Sequence, residues 1–253
     1  MLANYHTHTK RCQHATGEDR EYVEAAIQAG YKILGFADHC PWVYPDKNFV
    51  SGIRLAPGEV DGYFYSLESL KKEYEKEIKI YIGFETEHCP DMIPDQEKLL
   101  KGYPLDYMIC GQHFLGAEYV SFYTGRPHEE EEFLQRYVDT AIEGINSGRY
   151  LYLAHPDLVN FTGEDAVYRI HMKRLCEALK EKDVPVEINA LGLATGRHYP
   201  SHRFLELAKE NGNKAIIGID AHAPGHLLNC AGVERAKLLC QEFELPLVDG
   251  DLL

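Results

Sequence analysis

The segment Ala3-Asn4-Tyr5-His6-Thr7-His8 decides how the rest of the chain is read. A short apolar run ends in two histidines at i and i+2, a spacing that puts both imidazoles on one face of a strand. Two nitrogens then reach a single cation. The pattern recurs in looser form. Ile33-Leu34-Gly35-Phe36 leads into Asp38-His39, Tyr150-Leu151-Tyr152-Leu153-Ala154 leads into His155, and further runs lead into Glu85, His113 and Asp220-Ala221-His222. Six of the 13 histidines stand at or just beyond the end of such a run.

Seven apolar runs are predicted as strands, over residues 3–6, 33–38, 78–85, 106–113, 150–155, 184–189 and 215–220. Amphipathic helical patterns lie between most of them. In the first, Tyr22, Val23, Ala26 and Ile27 form the apolar face, Thr16 or Asp19 is placed to cap the start, and Gly30 stands where a left-handed residue ends a helix. Similar stretches cover residues 60–77, 129–146, 166–182, 202–210 and 230–242. Alternation of this kind implies a mostly parallel sheet, whose strands, buried on both faces, read as near-continuous apolar runs. An open, doubly wound sheet accommodates it too. A closed barrel is favoured because only closure gathers so many strand ends around one centre. The expectation is an α/β fold, a seven-stranded (β/α)7 barrel, as a single domain over residues 1–253. Two long loops, 40–59 and 114–128, are expected to shape access to that centre.

Composition narrows the function. With 253 residues and 45% hydrophobic content, the chain can bury a core of barrel size. No apolar stretch approaches the roughly 20 residues that span a bilayer, and the N-terminus lacks the pattern of a secretory signal, so a cytoplasmic protein without membrane contact is expected. Seven cysteines without a C-x-x-C pair are expected to be reduced, mostly buried thiols. A net charge of −14 without a basic run argues against nucleic acid as a partner.

A strand-end histidine taken alone is ordinarily a core or surface residue, and His88, His128, His171, His198, His202 and His226 are placed in that class. The others act as a set. His6-x-His8, His14, Asp38-His39, Glu85 after Ile82-Gly83-Phe84, His113 in Gly111-Gln112-His113-Phe114, His155 in His155-Pro156-Asp157-Leu158 and Asp220-x-His222 resemble the polymerase and histidinol phosphatase (PHP) superfamily of metal-dependent phosphoesterases. Within it, His6-Thr7-His8-Thr9 and the stretch from Gly35 to Pro41 look most like the histidinol-phosphate phosphatase branch. The resemblance spans nearly the whole chain and implies a distorted seven-stranded (β/α) barrel.

It also implies three divalent transition-metal ions. His6, His8, Glu85 and Asp220 would hold the first, Glu85, His113 and His155 the second, and His14, His39 and His222 the third. Imidazoles with a few carboxylates suit zinc, manganese or iron. The implied activity is hydrolysis of a small phosphate ester, L-histidinol phosphate, in histidine biosynthesis. Two close cations can share a hydroxide at neutral pH, which is expected to attack phosphorus in line. Asp220 and His222, nearest the centre, are the candidate catalytic groups for protonating the leaving oxygen, with a metal-bound water as the alternative. Arg197 is a candidate phosphate grip. Glu187, alternating with Asn189, is a candidate for pairing with the substrate's amine or imidazole, and Asp157 for orienting a histidine or capping a helix. Rival readings are a relative acting on nucleotides or short oligonucleotides, which a basic rim would favour, and an amidohydrolase, which would need a lysine at a strand end. A metal-stabilised scaffold without catalysis is a third.

Overall fold

The computed structural model describes residues 1–253, the side chain of Cys230 excepted. Six strands form: β1 (Ala3–Asn4), β2 (Ile33–His39), β3 (Lys79–Thr86), β4 (Tyr107–Cys110), β5 (Val186–Asn189) and β6 (Ala215–Gly218). β1 to β4 make a curled four-stranded sheet in chain order, β5 pairs with β6, and every pairing is parallel. Nine helices accompany them: α1 (Asp19–Gln28), α2 (Val60–Glu73), α3 (Ile93–Leu100), α4 (Glu131–Asn146), α5 (Asp165–Glu181), α6 (Ala190–Thr195), α7 (His202–Glu210), α8 (Pro224–Leu228) and α9 (Cys230–Glu242). None of them is long and apolar enough to cross a membrane. The six cysteines whose side chains are described are free thiols, five of them buried; the side chain of Cys230 lies outside the described residues.

The seventh expected strand, over residues 150–155, does not form. Leu151 N–H donates to Met108 O and Ala154 N–H to Cys110 O, as a parallel neighbour of β4 would, but towards β5 only Leu153 pairs, with Val186. The ladder stops there because His155, two residues on, turns to φ 31° and gives its N–H to the Glu187 carboxylate at 2.8 Å. At the other seam Thr7 pairs with Ala221, and the Asn4 side chain stands in for backbone by accepting from Ile219 N–H at 2.9 Å.

Period-two alternation sorts the side chains. Leu34, Phe36, Ile80, Ile82, Phe84 and Met108 pack outward against the helices. Ile33, Ala37, Tyr81, Tyr107, Ile109 and Ile216 form a second cluster on the concave side. Here Tyr107 lies over two glycines, Gly35 and Gly83, and its hydroxyl donates to Tyr5 O at 2.7 Å. The concave side therefore carries a packed aromatic floor, and the next inward positions along the strands open above it.

Helix α1 corrects one expectation and meets another. Its start is fixed by Glu18 N–H donating to the Glu21 carboxylate, while Asp19 is taken by Arg11 and Ser66 and Thr16 plays no capping part. Gly30 has the left-handed φ of +86°. Three short helices, α3, α6 and α8, lie in stretches for which no element was predicted.

A Cβ at Gly83 would stand 2.5–2.7 Å from three Tyr107 ring carbons, and the buried ring has little room to retreat. Gly83→Ala is therefore expected to destabilise the protein by about 1–3 kcal/mol through overpacking. A lowered urea midpoint with an unchanged slope would show it.

Candidate metal centre

Parallel register places the centre. In β3, Tyr81, Gly83 and Glu85 alternate inward, and the pairing of His39 with Glu85 makes these two residues lateral neighbours. The Glu85 side chain, 1% exposed, is approached by five imidazoles. His6 Nε2 and His8 Nε2 each lie 3.5 Å from Oε2, and His39 Nδ1 lies 3.2 Å from it. His155 Nε2 lies 2.8 Å and His113 Nε2 3.5 Å from Oε1. Gly111, the next inward position beyond β4, lets the carboxylate in, since a Cβ there would overlap it. Burial would raise the Glu85 carboxyl, but the imidazoles, His113 first, outweigh burial and hold it well below the usual carboxylate range.

Asp220 forms the other pole. Its Oδ1 stands 3.2 Å from His8 Nε2, 3.3 Å from His222 Nδ1 and 3.6 Å from His6 Nε2. Both Asp220 and His155 have left-handed backbone, at φ 56° and 31°. Such conformations are costly for residues with a Cβ and cluster at functional sites. His14 and His222 face each other, Nε2 to Nε2, at 3.1 Å. The Nδ1 of His14 lies 2.7 Å from Cys12 O and that of His222 3.0 Å from Asp220 O; carbonyls only accept, so each Nδ1 bears the hydrogen. In neutral rings two lone pairs then point at one another. Burial and the neighbouring His8 push His222 down to about 3, and His14 is lowered too, chiefly by burial.

The residues suit a metal. His6 Nε2, His8 Nε2 and both Glu85 oxygens are buried without a well-formed hydrogen bond, an expensive state unless a cation completes it. Ligand atoms of His14, His39 and His222 lie within 4.8 Å of one another, as do those of His6, His8 and Glu85, of His6, His155 and Asp220, and of His39, Glu85 and His113. Cys12 joins His8 and His222 in a further group that the sequence reading passed over. All nine expected ligand residues converge on one region.

A layer of carboxylates stands behind the histidines. Glu187 was expected to meet the substrate; instead it is fully buried, takes His6 Nδ1 at 2.7 Å, and accepts from His155 N–H and Asn189 Nδ2. Asn189 also donates to Asp220 Oδ2 at 3.1 Å and caps α6 through Gly192 N–H. Asp38 accepts from Thr9 and lies 3.6 Å from His8 Nδ1. Asp157 neither touches a histidine ring nor caps the helix that follows it: it accepts from Ser201 N–H at 2.6 Å, and burial pushes its carboxyl up to about 6.

The centre opens into a cavity of about 530 Å³. Arg197 lines it, its guanidinium donating to the Tyr199 hydroxyl at 2.5 Å. Arg126, missed in the sequence, lines it as well and makes no side-chain ion pair among the described residues. Ile53, Phe114, Tyr123 and Leu191 supply an apolar wall.

Comparisons with known proteins show family and fold. The profile of the PHP domain family matches residues 4–191. A probable histidinol-phosphatase of Deinococcus radiodurans is 29% identical over 240 residues, covering 89% of this chain and 88% of that protein. The histidinol-phosphatase of Bacillus subtilis is 24% identical over 251 residues, covering 87% and 93%. Among solved structures, the histidinol phosphate phosphatase of Lactococcus lactis, crystallised with zinc, L-histidinol and phosphate, superposes with a TM-score of 0.73 at 19% identity, covering 98% of this chain and 95% of that one.

Ions that bind only the folded chain stabilise it, by about 2.7 kcal/mol per site at a hundredfold excess over Kd. Added zinc or manganese is expected to raise the unfolding midpoint in scanning calorimetry, and chelator to lower it. Gly111→Ala, which alters no polar group but crowds Glu85, is expected to lose most of that response.

Proposed function

We propose a function that rests first on kinship: the chain belongs to the PHP domain family. It is a metal-dependent phosphatase that hydrolyses L-histidinol phosphate, a step of histidine biosynthesis, with residues 1–253 acting as one domain of the PHP type. The observation that carries the chemistry is the buried Glu85 carboxylate, surrounded by five imidazoles and without a well-formed hydrogen bond. The two sheets, joined through Leu153 and through Thr7 and Ala221, are read as one distorted seven-stranded (β/α)7 barrel with residues 150–155 as its fifth stave.

Three ions, zinc, manganese or iron, would be held by His6, His8, Glu85 and Asp220, by Glu85, His113 and His155, and by His14, His39 and His222. Bound there, divalent ions supply Lewis acidity to phosphoryl oxygens and make water ionisable near neutral pH. The chain does the rest by position and charge. Arg197 and Arg126 offer guanidinium groups to the phosphate at the cavity wall. Ile53, Phe114 and Tyr123 give the substrate's imidazole an apolar surface that excludes water. Asp220 and His222 serve as ligands and not as proton donors. The imidazoles of His6 and His222 outweigh burial to keep Asp220 ionised, and burial keeps His222 neutral.

Phosphate release from L-histidinol phosphate, a nucleoside monophosphate and an aryl phosphate, before and after chelation, tests the proposal. A kcat/KM for L-histidinol phosphate orders of magnitude above the others, lost on chelation and restored by metal, is the expected result. Equal, slow hydrolysis of all three would remove the histidinol assignment. Arg197→Met is expected to lower kcat/KM by about 10–100-fold, as befits a lost charge-assisted hydrogen bond.

A further inference from the structure

A second buried charge cluster lies behind His113, built by the two long loops around Glu87, just past the end of β3. Arg54, 3% exposed, grips Glu87 with two prongs, Nη2 to Oε1 at 3.0 Å and Nη1 to Oε2 at 3.2 Å. Its Nε donates to Glu118 at 2.8 Å, and Nη1 also donates to Cys40 O, beside His39. Trp42 Nε1 donates to Glu87 Oε2 at 2.9 Å. The remaining neighbour of Glu87 Oε1 is His113 Nδ1, at 3.3 Å, while Nε2 of the same ring faces Glu85. The backbone of Arg54 accepts from Gln13, beside His14, and Leu55 N–H donates to His39 O.

Burying a guanidinium with two carboxylates is a weak way to stabilise a fold, since apolar side chains of similar volume do as well or better. The arrangement does settle one thing that apolar packing would not. With an ion on Nε2, as the reading above has it, that nitrogen needs its lone pair, and Glu87, which only accepts, is the partner that takes the hydrogen on Nδ1.

We propose that Glu87, held in place by Arg54, is a positioning residue for His113. It fixes the ring with hydrogen on Nδ1 and a lone pair on Nε2, so that the ion held through His113 depends on it while the ion held by His14, His39 and His222 does not. This rests on the metal reading given above and adds the group that makes one ligand competent. Carboxylates behind ligating histidines commonly contribute about 10–100-fold to metal affinity.

The experiment is zinc content of the full chain across a series of chelator strengths, by plasma mass spectrometry, for wild type and Glu87→Gln. The variant is expected to release one class of zinc at about 10–100-fold weaker chelation, with the other zinc unmoved and with kcat lowered more than KM is raised. A variant that keeps all its zinc as the wild type does overturns the role of Glu87 and leaves the metal reading standing; a wild type that holds no zinc overturns both. Should Glu87→Gln fail to fold, the wild type alone decides. In zinc-loaded protein labelled with nitrogen-15 histidine, long-range proton–nitrogen correlations are expected to show the His113 hydrogen on Nδ1. A hydrogen on Nε2 overturns the proposal.

Discussion

The rest of the structure turns on a carboxylate buried among imidazoles. Glu85 has lost water, gained no well-formed hydrogen bond, and stands within 3.5 Å of a nitrogen from each of five histidines. An ionised carboxylate in such a place is tolerable only with positive charge beside it. What brings it there is the apolar pattern of β2 and β3. Leu34, Phe36, Ile80, Ile82 and Phe84 bury themselves against the helices, which leaves His39 and Glu85 facing inward side by side. A slip of one residue in that register would send every one of these side chains to the opposite face. The hydrophobic core therefore fixes the centre's geometry as firmly as any polar contact does.

The strand ends yield regularity to keep the ligands aimed. β1, β4 and β6 stop before the residues that carry the chemistry, and His155 and Asp220 adopt left-handed backbone instead of continuing in extended form. The hydrogen bonds given up are replaced by side chains. Asn4 serves Ile219, Glu187 serves His155, and Asn189 ties Glu187 to Asp220. Each substitute is buried, so each rotamer is held by packing, and the strain of the two residues is over-determined by its surroundings.

Much of this was legible in the chain. Six of the seven apolar runs became strands because parallel strands buried on both faces announce themselves by continuous hydrophobicity. The nine expected ligands converge because strand ends in a curled parallel sheet point to one side. What escaped reading depends on pairs distant in sequence. Nothing near Glu187 says that His6, 181 residues away, will claim it. Nothing near Arg54 says that it will be buried with Glu87. The short helix α6 did carry a signal, Asn189 as its cap and Gly196 at φ +67° as its end, but six residues are too few for an apolar face to repeat. The same brevity hid α8.

A net charge of −14 taken as a whole opposes an anionic substrate. Many of the acidic side chains, Glu131, Glu132, Asp165 and Glu177 among them, sit exposed on helix faces, where water weakens their field. Beyond about 8–10 Å salt screens it further. The field that a phosphate meets is set locally, by Arg126 and Arg197 at the cavity wall and by Glu85 and Asp220 below them. Left alone, those two carboxylates would repel the substrate at the point where it must react. Divalent ions held by Glu85 and Asp220 would reverse the sign of that encounter. On the function proposed above, the acidity of the centre is the part of an anion-binding site that would hold the cations, and the arginines are the part that would meet the anion.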